Sequence, residues 1–351
     1  MAGFGKYLLK NSCFAPYGWV YRRLLRSALL QNASMQLSPR TTGILYAVVT
    51  LAIWSSFIVI ARAMSHKNLT PFDITFVRIL GASAVVVPWG IWWVKQNPSA
   101  ANWLGVSPLS FKLTATLGLF GAVIYPVVAY SGFYFAPAAH AAVLMPGFLP
   151  LWTALLALFV LGTPIPARRR IGLALIVCGG LLVGGASLLK AFSGGTVWFG
   201  DILFLCGSFL WSSYTILLRK HGAAAIPATI AITFFALLTF VPVYGLMAWF
   251  GLIASKISVA PWSEIFFQAF AQGILSVIVS GITFLKMVEY YGPVRTTMIT
   301  AMTPGLAAIG AVIFLNEPLY WNLILGLIAV TVGIVVGVKP NAIPSPKPKF
   351  H

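Results

Sequence analysis

Side chains able to do chemistry are scarce in this chain, and the acids are the scarcest. The 351 residues include five of them: Asp73, Asp201, Glu264, Glu289 and Glu317. A carboxylate pair for acid–base catalysis would have to face each other across the protein. Asp73 and Asp201 instead lie at predicted helix starts, where an acid complements the helix dipole. Glu317, just before Pro318, also occupies a predicted capping position.

Motifs for other kinds of catalysis are missing from the sequence. It contains no H-E-x-x-H and no G-x-x-x-x-G-K-[ST], so zinc proteolysis and ATP hydrolysis both lack their residues. The three cysteines, Cys13, Cys178 and Cys206, are odd in number and two of them lie within apolar runs, so they indicate no disulfide framework or metal cluster. We therefore predict that the protein is not an enzyme and uses no cofactor and no metal. An intramembrane hydrolase is the alternative.

Arg78 is the charged residue that most needs an explanation. It lies seven residues into an apolar segment that begins near Pro71, which places it roughly 10 Å inside a membrane. A charge near the centre of a span costs about 2.5–3.5 kcal/mol, and no acid lies three or four residues away. We predict that Arg78 binds a substrate carboxylate or phosphate. Two alternatives are open: snorkelling to the headgroups, and bonds to carbonyls of a neighbouring proline-broken helix.

Two further polar side chains are candidates for a substrate site. Tyr130 shares a helix face with Tyr134, above Pro126, and a proline inside a membrane helix frees a carbonyl that must face protein or a cavity. His140 opens the fourth apolar segment after Pro137 and could titrate near neutral pH. For both residues ordinary packing is the alternative.

A repeated motif supplies the remaining candidates. Residues 52–62 read AIWSSFIVIAR and residues 209–219 read FLWSSYTILLR, so Trp54 and Ser55 recur as Trp211 and Ser212. Both tryptophans lie in the middle of apolar segments, whereas an interfacial anchor would lie at an end. We predict that Trp54, Ser55, Trp211 and Ser212 line a substrate cavity. The alternative is helix packing through small residues whose hydroxyls bond to the carbonyl four residues back.

The composition indicates a membrane protein. Hydrophobic residues make up 60% of the chain and charged residues 8%, against about 25% charged residues in soluble domains. The net charge of +18 is scattered between apolar segments, which favours topology signals over nucleic-acid binding. Ten segments are long enough to cross a bilayer: 42–64, 71–94, 113–136, 138–161, 170–189, 197–218, 227–251, 265–288, 294–315 and 320–338.

The segments form two halves of five. LGTP at 161–164 matches LNEP at 315–318, and Pro150 matches Pro304. Because five is odd, the second half enters the membrane with the opposite orientation. Apart from Arg78 and Lys286, which lie within spans, 17 of the lysines and arginines fall on one side and four on the other. The positive-inside rule then predicts that both termini are cytoplasmic and that the protein is a multi-pass protein of the cell inner membrane.

The same pattern predicts the domain boundaries. Residues 1–40 form an amino-terminal tail that includes an amphipathic, arginine-rich stretch suited to a membrane surface. The first repeat is 41–190, the second is 196–338, and 339–351 is a tail. Gly180/Gly184 and Gly333/Gly337 have the spacing of close helix contacts. Packing within the monomer and contact in a homodimer are both open.

These residues carry a resemblance to a known family. Two five-helix halves, the repeated Trp-Ser-Ser and the LGTP and LNEP sites resemble the EamA-type branch of the drug/metabolite transporter superfamily over roughly residues 40–338. LNEP is similar to the family's usual L-G-E-x-P, while Thr163 replaces the acid in the first half. The resemblance implies a carrier with a central cavity, whose partners are the lipid bilayer and a small-molecule substrate.

The function expected from this resemblance is secondary transport. We predict export of a small metabolite, such as an amino acid or related organic solute, or of a drug, by alternating access. A sugar or nucleotide-sugar carrier is the alternative within the same superfamily.

Overall fold

The computed structural model describes residues 39–97 and 109–338. The predicted amphipathic stretch near the amino terminus and the carboxy-terminal tail lie outside this range. Five helices make up the first half of the described chain. They are α1 (Pro39–Met64), α2 (Pro71–Gln96), α3 (Phe111–Gly118, Leu119–Ile124 and Tyr125–Phe135), α4 (Ala138–Leu144 and Leu149–Leu161) and α5 (Ala167–Ala191).

Five more helices make up the second half. They are α6 (Val197–Lys220), α7 (Ala225–Trp249), α8 (Trp262–Gln268, Ala269–Val279 and Ser280–Thr300), α9 (Thr303–Leu315) and α10 (Trp321–Val338). Over the described residues, eight helices are long and apolar enough to cross a membrane, and the apolar helices Thr303–Leu315 and Trp321–Gly337 are shorter. The prediction of an all-α polytopic membrane protein built from two five-helix halves is confirmed.

One predicted helix boundary is wrong. The predicted spans 265–288 and 294–315 place a break at residues 289–293, but the helix Ser280–Thr300 continues through these residues, Gly292 and Pro293 included. The break falls at Ala301–Met302. Membrane helices tolerate glycine and proline because neighbouring groups satisfy the freed backbone atoms. In the first half, α4 is interrupted at residues 145–148. The segment after this interruption, Leu149–Leu161, lies 154 positions before α9 and is its counterpart in the first half.

The turns that follow α4 and α9 share one backbone geometry. Gly162 and Asn316 both cap their helices in the left-handed region, with φ of 65° and 53°. The next backbone N–H groups donate equivalently, from Thr163 to Ala157 O and from Glu317 to Ala311 O, at 3.1 and 3.2 Å. Glycine and asparagine are the residues that adopt this conformation most readily. The turn therefore does not depend on the acid that the first half lacks.

The last helices of the two halves pack together through glycines. A Cβ on Gly172 would lie 2.5 Å from the carbonyl oxygen of Gly333, and one on Gly326 would lie 2.8 Å from that of Gly179. The backbones of α5 and α10 are therefore in direct contact, as small residues permit. Of the predicted G-x-x-x-G residues, Gly333 lies in this contact, while Gly180 faces the ring of Phe148. Packing within the monomer accounts for both.

Each half also contains a π-helical segment. The segments are Leu119–Ile124 in α3 and Ala269–Val279 in α8. The one in α8 packs on α2, and the one in α3 packs on α7. Both contacts therefore join one half of the protein to the other, and π segments are frequent at functional sites.

Candidate functional site

Arg78 lies at the contact between α2 and the π segment of α8. Its side chain is buried, and Nη1 donates to the carbonyl oxygen of Gln272 at 3.0 Å, to Tyr130 Oη at 3.3 Å and to Ser276 Oγ at 3.3 Å. Snorkelling to the headgroups is thus wrong for this conformation. The alternative of bonding to a carbonyl in a broken helix holds, but the irregular helix is π-helical rather than broken by proline.

Two glycines bring α2 and α8 close enough for these bonds. A Cβ on Gly81 would lie 2.3 Å from the carbonyl oxygen of Ala269, and one on Gly273 would lie 2.7 Å from that of Arg78. The two backbones therefore touch between Arg78 and Ala82 of α2. The guanidinium position is set by backbone contact as well as by side chains.

Two buried amides lie on the part of α8 that packs on α2. Tyr130 Oη donates to Gln272 Oε1 at 3.2 Å, while Gln272 Nε2 has no hydrogen-bond partner among the described residues. Neither amide atom of Gln268, one turn earlier in α8, has one either. Both glutamines are fully buried, and an unpaired buried polar group costs about 1–3 kcal/mol. Such groups need a partner, which a polar ligand or an ordered water would supply.

The matching place in the other half is apolar. The offset between the halves is 157 near Trp54 and Trp211 and 154 from α2 onward, where Pro88 matches Pro242, so Arg78 corresponds to Ile232 (78 + 154 = 232) and Gln272 to Gly118 (272 − 154 = 118). There the ring of Phe235 lies against Gly118. The fold thus repeats the contact between helices, but the charge and the amide occur on one side only. We call Arg78, Tyr130, Gln268, Gln272 and Ser276 the arginine site.

The two Trp-Ser-Ser copies have different surroundings. Trp54 stacks on Phe284 of α8 with ring centroids 5.3 Å apart, and Ser55 Oγ is buried with no partner among the described residues. Trp211 lies 5.0 Å from the Tyr125 ring. Ser212 Oγ lies 3.4 Å from the Leu149 carbonyl oxygen, which places it against α4. Their described contacts do not join either copy directly to Arg78. Phe57 of α1 contacts the site through Tyr130, with ring centroids 6.0 Å apart.

His140 belongs to a separate cluster. Its Nδ1 lies 2.8 Å from Asp201 Oδ1, and both side chains are buried. Assigning Asp201 to the helix dipole alone is therefore wrong: the carboxylate lies within the protein, against the histidine. The sequence gives no signal for the pair, because its members are 61 residues apart and on different helices.

The other described acids lie at one end of the helices, around residues 64–71, 135–138, 191–197, 249–262 and 315–321. We call this end the low-charge face, since it carries four of the lysines and arginines counted above, whereas the other end carries 17. Glu317 binds Arg62 Nε at 2.9 Å and accepts from Ala138 N at 2.8 Å. It thus caps a helix, as predicted, but the helix is α4 of the other half.

Two more acids join the halves at this face. Asp73 accepts from Tyr244 Oη at 2.5 Å and from Lys256 N at 3.0 Å, and Glu264 accepts from Asn68 Nδ2 at 2.8 Å. A surface cavity of about 340 Å³ lies beside the last contact. Each acid whose side chain is described, Asp201 included, therefore bonds across the two halves.

Paired five-helix halves built from apolar helices of membrane length define a polytopic membrane protein. The sequence matches the model of the EamA-like transporter family over residues 41–185 and 198–338. The chain belongs to this family, which confirms the resemblance and its transporter class; the family is one of transporters and not of enzymes.

Relatives support the same class. An uncharacterized transporter of Archaeoglobus fulgidus is 31% identical over 50% of this chain, and the chain spans 57% of that protein's length. A WAT1-related protein of Arabidopsis thaliana is 24% identical over 78% of this chain and 81% of its own length. A solved crystal structure at 19% identity covers 84% of this chain and 96% of its own, with a TM-score of 0.53. That likeness concerns the fold alone.

Proposed function

We propose that the protein is a secondary transporter that moves a small organic anion or zwitterion, such as an amino acid, across the inner membrane. The observation that carries this proposal is the arginine site, a buried charge beside unpaired amides at the contact between the two repeats. The termini are cytoplasmic, so the low-charge face is the outer face. The direction is export.

The donors that Arg78 leaves unused favour an anionic group. The described hydrogen bonds engage Nη1 alone, and Nε and Nη2 have no acceptor among the described residues. These two atoms form a fork that fits a carboxylate or phosphate with two parallel bonds. The unpaired amides of Gln268 and Gln272 supply donors and acceptors for an amino or hydroxyl group. An amino acid carries both kinds of group on one carbon.

Contacts between the repeats support alternating access. The bonds of Asp73, Glu264 and Glu317 hold the outer ends of the two repeats together, so this conformation is closed on the outside. Inverted repeats permit one half to rock against the other around a fixed site near the midplane. Opening the outer face would break these bonds and expose the arginine site. The moving units are residues 41–190 and 196–338.

A metabolite screen tests the proposal. Cells that overexpress the protein and cells that lack it are compared for excretion of organic anions and for tolerance to them. The solutes that differ are then offered to purified protein in sealed vesicles. We expect counterflow of unmodified solute without ATP. A chemically altered product, or an absolute requirement for ATP, would refute secondary transport.

A further inference from the structure

Tyr130 connects the charged group and an amide of the arginine site. Its side chain belongs to α3 and is fully buried. The Oη atom lies 3.3 Å from Arg78 Nη1 and 3.2 Å from Gln272 Oε1. Because Arg78 is on α2 and Gln272 is on α8, this chain of hydrogen bonds joins the first repeat to the second. We call Arg78, Tyr130 and Gln272 the relay.

The direction of the bonds in the relay follows from the chemistry of the arginine. A guanidinium group has donors only, so the Tyr130 oxygen accepts from Arg78. The single hydroxyl proton of Tyr130 is then donated to Gln272, which must present its carbonyl oxygen Oε1 to the ring. The Nε2 group of this amide is held away from Tyr130 and has no hydrogen-bond partner among the described residues. Tyr130 thus determines which end of the amide is free.

The free hydrogen-bonding groups of the arginine and the amide are donors. Arg78 keeps Nε and Nη2 without an acceptor in the described part of the chain, and Gln272 keeps Nε2. Ser276 Oγ accepts from Arg78 at 3.3 Å, which leaves its own proton to be donated. A carboxylate or phosphate supplies acceptors to such donors. A carboxamide instead turns an N–H group toward them and leaves a donor unpaired.

The helix contact does not need these polar groups, because the other half of the protein lacks them. Adding 154 to Arg78 and Tyr130 gives Ile232 and Phe284, and subtracting 154 from Gln272 and Ser276 gives Gly118 and Ala122. All four matching residues are apolar. Phe284 has an aromatic ring without the hydroxyl, and this ring stacks on Trp54. The hydroxyl of Tyr130 is therefore explained by the site and not by the repeated packing.

We propose that Tyr130 determines the specificity of the arginine site: by orienting the Gln272 amide, it makes the site bind an oxyanion and reject the corresponding carboxamide. This inference rests on the proposed function, since it takes the arginine site as the place where the solute binds. It adds the chemical class that is selected there. Solutes with a free carboxylate or phosphate bind, and their neutral amides do not.

Thermal unfolding with pairs of acids and carboxamides tests this selectivity. The full-length protein in detergent is mixed with the common L-amino acids and short-chain carboxylic acids, each compared with its own carboxamide. A ligand that binds the folded protein raises Tm, and the concentrations that give equal shifts provide the ratio of affinities. We expect wild type to prefer the acid by about tenfold to hundredfold.

Two variants separate the orientation of the amide from the binding of the anion. Tyr130→Phe leaves Arg78 in place but frees the Gln272 amide to turn its oxygen toward a carboxamide, so the affinity ratio should fall by about tenfold. Gln272→Glu keeps an acceptor for Tyr130 and replaces the free NH₂ group by an oxygen, so the acids should lose their advantage. Tyr134→Phe is the matched control, because this hydroxyl donates to the Leu69 carbonyl oxygen at 2.8 Å. It should keep the wild-type ratio.

The outcomes distinguish this inference from the proposed function. A wild-type ratio in either folded variant would overturn the inference and leave anion binding by Arg78 intact. If Tyr130→Phe fails to fold, Gln272→Glu decides the same question. Equal stabilisation of wild type by acids and carboxamides would also overturn the inference. If no acid stabilises wild type, the anion site itself is refuted, and the proposed function is refuted with it.

Discussion

Replacing Gly81 by alanine should displace the arginine site without touching its side chains. The added Cβ would lie 2.3 Å from the carbonyl oxygen of Ala269, whereas ordinary contacts begin near 3.4 Å. One helix must therefore move by about 1 Å, because the obstacle is backbone and cannot rotate away. Such a shift lengthens the 3.0 Å bond between Arg78 and Gln272 to about 4 Å, beyond hydrogen-bonding distance.

The energetic cost combines two opposed effects. Overpacking costs about 1–3 kcal/mol, and alanine gains about 1 kcal/mol over glycine from helix propensity. The net change for Gly81→Ala is a loss of about 0–2 kcal/mol. Gly245→Ala on α7 is the matched control, because nothing lies within 4 Å of its added Cβ. There the propensity gain acts alone.

The assay is thermal unfolding in detergent together with solute counterflow in vesicles. The free energy of unfolding of Gly81→Ala should be lower than that of Gly245→Ala by about 1–3 kcal/mol. Gly81→Ala should also lose most of its transport activity, while Gly245→Ala keeps it. If Gly81→Ala is as stable and as active as the control, the contact between α2 and α8 does not set the position of Arg78.

Three further predictions address the two repeats. Glu317→Gln should lower the free energy of unfolding by about 1–3 kcal/mol because Arg62 loses its carboxylate. Glu264→Gln, at a more exposed contact, should lower it by less than about 1 kcal/mol. Equal melting temperatures for the two variants would contradict this. Reporter fusions after Lys190 and Lys256 should report the outside and those after Arg170 and Lys220 the cytoplasm, and a reversed signal at any of them would refute the topology. A cysteine at Ser55, whose hydroxyl is buried without a described partner, should react with a small water-soluble reagent more slowly when a transported solute is saturating. No labelling in any state would favour packing.

The architecture could be predicted because its signals are repeated. Apolar segments of membrane length, the duplicated Trp-Ser-Ser and the pair LGTP and LNEP fix two five-helix halves. The end of α8 before α9 could not be located from the sequence, because Gly292–Pro293 is a strong local signal for a helix end. The helix nevertheless continues through both residues. A membrane environment weakens the usual penalty for these residues.

The candidate site was only partly visible in the sequence. Arg78 stands out because a charge in a span is costly, but its partners Gln272 and Ser276 lie almost 200 positions away. The π segment that offers the Gln272 carbonyl has no recognisable sequence pattern. His140 was a candidate without a partner, because pairing with Asp201 depends on how α4 and α6 pack.

Solute counterflow in an Arg78 series tests the central claim most directly. Wild type, Arg78→Lys, Arg78→Ala and the control Arg168→Ala, at an exposed position on α5, are reconstituted at matched protein levels. We expect full activity in wild type and the control, partial activity with lysine because the two-pronged fork is lost, and none with alanine. Wild-type transport by correctly folded Arg78→Ala would contradict the assignment of the substrate to the arginine site.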